Sequence, residues 1–185
     1  MGIMFPFSRR LRSDGVANIL FKDTFRLLAD SSAKVLGDHL IHEINSEDPQ
    51  GNIRFKSEWF SLLAFLITFI FQRKFLHFGK EKSNLVLDVF HDKLFTYTTK
   101  VIQDDTFPER LKARYAEYYP IMRSDFDCMK VGEILFPGMT QAFFKKIVPD
   151  KTTSPESFLF PFSFADLYSL IEDALEKIEK YEIVK

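Results

Sequence analysis

The residues in this chain most able to hold a metal are its four histidines and their acidic neighbours. Asp38-His39-Leu40-Ile41-His42-Glu43 is the densest cluster. On a helix His39 and Glu43 lie one turn apart, a spacing that lets an imidazole and a carboxylate reach one ion. His77 is the third ligand on offer, provided the first helix packs beside the end of the second. Asp88-x-x-His91 has the carboxylate-x-x-His spacing of dimetal bundles. Such a site wants two pairs of that kind and four inward carboxylates, and the chain carries one pair. The helical wheel also turns Asp88 and His91 away from the apolar face of their helix, which reads as solvated or capping groups. The expectation is no metal and no cofactor, with His39, Glu43 and His77 as the candidate set if one exists.

Nucleophilic chemistry has less to work with. Cys128, the single cysteine, follows Asp125-Phe126-Asp127, and acidic neighbours disfavour a thiolate. It also excludes an internal disulfide and a four-thiolate zinc site, and fits a reducing compartment. The seven glycines are scattered, and none builds a nucleophile elbow or a phosphate loop. Arg110, Lys112 and Arg114 share a helix with Tyr115, Tyr118 and Tyr119, a mixture that suits an anion or a base-stacking face. The simpler reading is a solvated basic face beside core tyrosines. The formal net charge of -1, from 25 basic and 26 acidic residues, argues against broad nucleic-acid binding.

The other lead is phenylalanine, of which there are 22. So many rings need a thick core, an apolar cavity or an apolar surface. Phe65, Phe69, Phe158, Phe160, Phe162 and Phe164 are the candidate lining of an apolar pocket. Core filling is the competing reading, since packing needs no ligand.

The elements that would position these residues read as helices. Trp59 to Phe71 contains no charge, Pro or Gly. As a helix this run is about 20 Å long, and a bilayer core needs about 20 residues. It is therefore expected as the central helix of a bundle, over 54–78, with Lys56 and Glu58 closing it before and Arg73 and Lys74 after. A first helix over 15–45 carries Phe21, Phe25, Leu28, Leu36 and Leu40 on one face, with Ala29, Ala33 and Gly37 permitting close approach. A third, over 82–103, faces inward through Val86, Val89, Phe90, Leu94, Tyr97 and Val101. A fourth starts at the capping box Thr106 to Glu109 and is expected to stop near Pro120. One or two short helices lie between 121 and 148, broken at Phe136-Pro137-Gly138. The last begins at Ser163 and Asp166, and its apolar face runs from Leu167 and Leu170 to Tyr181.

The fold expected is an all-α single domain over 1–185, with about six helices around the apolar one. Residues 1–13 read as an N-terminal arm, and 149–163 as an extended Phe-rich connection before the last helix. Arg9, Arg10 and Arg12, after Met4, Phe5 and Phe7, would touch an anionic membrane only weakly. No secretory leader is evident, integral insertion is not expected, and a cytoplasmic location fits. The functional expectation is a non-enzymatic interaction or adaptor protein that binds a protein partner or itself. The alternative is a carrier of, or enzyme acting on, an apolar small molecule inside the bundle.

Overall fold

The computed structural model describes residues 9–30, 49–128, 136–147 and 164–184. Within them the protein is an all-α bundle of six helices with one small two-stranded sheet. Strand β1 (Arg9–Arg12) leads into helix α1 over 13–30. This rod is α-helical at Ser13–Asn18, widens to a π-helix at Ile19–Arg26 and closes again at Leu27–Asp30. Its widened stretch turns Leu20, Thr24 and Phe25 into the core. Helices α2 (Pro49–Lys74), α3 (Lys80–Ile102), α4 (Phe107–Cys128), α5 (Pro137–Ile147) and α6 (Phe164–Glu176) follow, and β2 (Tyr181–Val184) pairs in parallel with β1.

The central helix carries the apolar run, but it spans Pro49–Lys74 rather than 54–78, and Leu76–Phe78 forms a separate 3-10 turn. From Ser57 to Phe71 every side chain of α2 is buried, so over that stretch the helix has no solvent face. A helix that is apolar all round must be surrounded, and α1, α4, α5 and α6 do this, with α3 against α1 and α2. Contacts advance along α2 and α4 together, from Glu58–Arg114 through Thr68–Tyr115 to Gln72–Tyr119. The two helices therefore run in the same sense. Among the described residues no helix is long and apolar enough to cross a membrane.

Several local expectations are corrected. Helix α4 does not stop at Pro120 but continues to Cys128. Pro120 and Ala116, whose carbonyl loses its intrahelical donor, are both exposed, so water can satisfy the free oxygen. Val101 lies outside the buried face of α3, and Leu170 outside that of α6. Tyr181 is not helical. The last helix tightens to a 3-10 turn over Lys177–Lys180, and Tyr181 then turns extended at φ -114°, ψ 142°. β-Branched Ile183 and Val184 suit the strand that follows. Residues 9–12 of the expected arm are the partner strand, in the register Arg9 to Tyr181 and Arg10 to Glu182. Arg10 Nε lies 3.5 Å from the Glu182 carboxylate, and Lys82 Nζ donates to the Ile183 carbonyl at 2.8 Å.

The start of α4 also differs. Asp104, rather than a Thr106–Glu109 box, organises it. Asp104 Oδ1 accepts from the Thr106 amide at 3.0 Å and its hydroxyl at 2.6 Å. The Phe136-Pro137-Gly138 break is observed as the start of α5, with Pro in the first turn. Three further expectations lie outside the described residues: the first helix beyond residue 30, with Ala33, Leu36, Gly37 and Leu40; the 149–163 connection; and the Ser163 cap.

Candidate functional site

Three polar or exposed features stand out against the apolar interior. The first is an ionic chain at the early end of α2. Glu58, expected as a charge closing the apolar run, is 3% exposed inside it. Arg114 of α4 clasps it with both arms of its fork: Nε donates to Oε2 at 2.6 Å and Nη2 to Oε1 at 2.5 Å. Arg114 Nη1 reaches Glu117 at 3.2 Å, and Glu117 in turn meets Lys146 of α5 at 3.1 Å. The hydrogen bonds to Glu58 hold the guanidinium more firmly charged than usual.

A second pair lies beside it. Arg110 Nη2 is 3.0 Å from Asp104 Oδ2, and the Ser57 hydroxyl donates to the same oxygen at 3.4 Å. Burial raises the Asp104 pKa, but the bonds from Thr106, the charge of Arg110 and the Ser57 hydroxyl outweigh it, so the carboxyl lies below its usual range. The solvated basic face expected for Arg110, Lys112 and Arg114 is thus corrected. Only Lys112 is exposed, and the two arginines are turned onto buried or half-buried acids. The sequence holds a signal for this: a carboxylate beside a run that must be buried needs a cation from elsewhere.

The second feature is a hydroxyl network farther along α2. Tyr115 Oη donates to the Ala64 carbonyl at 3.0 Å, and lies 2.9 Å from Thr68 Oγ1 and 2.8 Å from His91 Nε2. Burial pushes the Tyr115 phenol well above its ordinary pKa. The sequence reads His91 as a solvated or capping group. It sits instead against Tyr115 and the rings of Phe90 and Phe95, and burial lowers its pKa. Its neighbour Asp88 is exposed, as expected. The wheel misplaced His91 because a half-turned ring can reach sideways to a neighbouring helix, which a single-helix projection omits.

The candidate pocket residues divide. Phe65 is fully buried, with its ring 5.2–5.7 Å from those of Tyr115, Tyr118 and Tyr119 and 5.8 Å from Phe69. Phe69 stacks on Phe126 at 5.7 Å, and the Arg73 guanidinium lies 4.2 Å over the Phe126 ring. Phe164 is half-buried and meets Phe143, which itself meets Trp59. Phe158, Phe160 and Phe162 lie outside the described residues. So do His39 and Glu43 of the metal set. The third member, His77, is exposed on the turn after α2. Among the described residues no group of three His, Cys, Asp or Glu is placed to hold a metal.

The third feature is that turn, Leu76–Phe78. Phe75 beneath it is fully buried and stacks on Phe78 at 5.0 Å and against Phe71 at 5.1 Å. Phe78 and Gly79 amides bond back to Phe75 and Leu76 at 3.0 and 3.2 Å. Gly79 at φ 82° takes a backbone conformation that a side chain would strain. On this pinned mount Leu76 is 77% exposed. No known family, curated protein or solved structure matches the chain.

Proposed function

We propose that this protein is a non-enzymatic helical interaction module, and that Leu76 is one of its contact residues. The observation that carries the reading is the mount. A large apolar side chain stands out at 77% exposure on a turn fixed by three rings and two backbone hydrogen bonds. Exposed leucines are ordinary in themselves. One held on a rigid turn loses little further freedom when a partner covers it, which is how an anchor residue works. Arg73 and Lys80 flank it in sequence and are exposed, so the complementary surface on the partner is an apolar socket with an acidic rim. The inward-turned arginines and the ring-packed Phe65 support a structural use of the interior. An apolar ligand inside the bundle is the alternative, and the close ring contacts of Phe65 weigh against it at that position.

The test compares wild type with Leu76→Glu in cross-linked pull-downs from the source cell and in sedimentation. The expected result is a partner, or self-association, that the variant loses while its melting temperature stays unchanged. A strictly monomeric wild type, capturing the same proteins as the variant, would reject the proposal.

A further inference from the structure

Arg73 is held differently from the other cations near the exposed turn. Phe69, Arg73 and Leu76 fall at i, i+4 and i+7, one stripe along the end of α2. Helical geometry persists there, since the Phe75 amide donates to the Phe71 carbonyl at 3.0 Å. The Arg73 guanidinium lies 5.6 Å from the centre of the Phe69 ring and 4.2 Å from that of Phe126. Those two rings stack on each other at 5.7 Å, and Phe69 is buried. The cation is thus seated on a platform shared by α2 and α4, yet Arg73 is exposed.

Its neighbour Lys74 is turned to Glu176 and Glu179, at 3.9 and 3.2 Å. Arg73 makes no ion pair among the described residues. A guanidinium resting on rings keeps its N–H donors at the edge of its plane, free for a planar acceptor. Arg114 shows inside the bundle what such a fork takes, a carboxylate bound by both arms. Arg73 presents the same fork outward. The rings have already removed part of its freedom, so less is lost when a partner's acid arrives.

The surrounding charge selects the anion. Glu172 is half-buried and, like Arg73, acts on the phenol of Tyr168, whose ring meets Phe126 at 5.9 Å. Asp127 follows Phe126 and is exposed. A phosphoryl group, with a charge of about -1.5 to -2 at neutral pH, would meet these acids with one arginine to offset it. A carboxylate brings a single charge in the planar shape the fork fits. We propose, resting on the reading of Leu76 as a contact residue, that Arg73 is the charged half of that contact and receives an aspartate or glutamate of a protein partner. The acid and the apolar socket for Leu76 are then neighbours on the partner, as Arg73 and Leu76 are on α2.

The test selects a displayed library of random peptides on wild type, Arg73→Gln, Lys80→Gln and Leu76→Glu, and compares the pools by sequencing. Wild type is expected to enrich peptides in which Asp or Glu accompanies apolar residues. Arg73→Gln should keep the apolar preference and lose the acidic one. Lys80→Gln, which removes an exposed cation that no ring holds among the described residues, should keep both. Leu76→Glu should lose both. If Arg73→Gln does not fold, Arg73→Lys carries the test: it keeps the charge without the fork and should weaken the acidic preference. An acidic preference that is absent from wild type, survives the Arg73 variant or falls equally with Lys80→Gln would overturn the role of Arg73 and leave the Leu76 contact standing. Wild-type pools that lose nothing in Leu76→Glu would overturn both. A selected peptide resynthesised with phosphoserine at its acidic position should bind wild type more weakly, and tighter binding would overturn the choice of a carboxylate.

Discussion

Along α2, the stretch holding Ser57, Glu58 and Ser61 and the stretch holding Phe65, Thr68 and Phe71 are hidden from water to the same degree. They are held by different forces. The first is tied to α4 by an ion pair with ideal fork geometry, continued through Glu117 to Lys146 on α5. The second is wrapped in rings, with Tyr115 threading one hydroxyl among Ala64, Thr68 and His91. Burial alone therefore does not say what a position tolerates. A ring packed in rings is held by shape and area, which are lost when the ring is cut away. A buried charge is held by its partner, and its loss is felt at the partner's end.

The sharpest way to break the comparison is at its ionic end. Arg114→Ala leaves Glu58 buried and uncompensated, and is expected to cost about 3–5 kcal/mol. The double variant Glu58→Leu/Arg114→Met should recover most of that loss, since well-packed apolar pairs replace buried ion pairs at little cost. Urea unfolding of the three proteins measures it. A double variant as weak as the single one would show that the pair does more than neutralise itself.

At the aromatic end the expected loss is of the same order without the rescue. Phe65→Ala opens a cavity beneath Tyr115, Tyr118 and Tyr119 and should cost about 3–5 kcal/mol. Adding Tyr118→Ala should deepen the loss, the opposite of the ionic double variant. Recovery of stability in that second step would erase the distinction.

A smaller effect tests the far end of α4. Asp125 is buried and caps α5 from a distance: its two oxygens accept from the amides of Gly138 at 3.0 Å and Met139 at 2.9 Å. Asp125→Ala strands those amides and should cost about 1–3 kcal/mol. Gly138 is the complementary probe, because a β-carbon there would stand 2.8 Å from Asp125 Oδ1 and 2.9 Å from Ile121 Cγ2. Gly138→Ala is therefore expected to lower the melting temperature, while Asp125→Asn, which keeps one acceptor oxygen, should fall between wild type and Asp125→Ala.

The central helix was legible because its run of residues admits only one environment, and α3, α5 and α6 were legible from spacing and from Pro137-Gly138. The polar tertiary contacts were not. Nothing local to Glu58 names Arg114, and nothing local to Asp125 names the amides of α5, because each bond joins residues that only the assembled bundle brings together. Pro120 misled for the reverse reason. Its local cost is real, but exposure lets water meet the freed carbonyl while Tyr119 and Phe126 hold the helix on either side. The β1–β2 pair was missed because four residues on each side give too short a pattern to register.

That pair has a consequence for the order of assembly. The strands that meet, Arg9–Arg12 and Tyr181–Val184, are nearly the whole described chain apart. Closing so long a loop is entropically expensive, and such contacts form after local ones. During synthesis the basic strand emerges before its partner, and all six helices lie between the two. Until then β1 offers unpaired amides and carbonyls along an edge, the kind of surface through which nascent chains join one another. Arg10 and Arg12, both exposed, are the charges that keep that waiting edge apart from its copies.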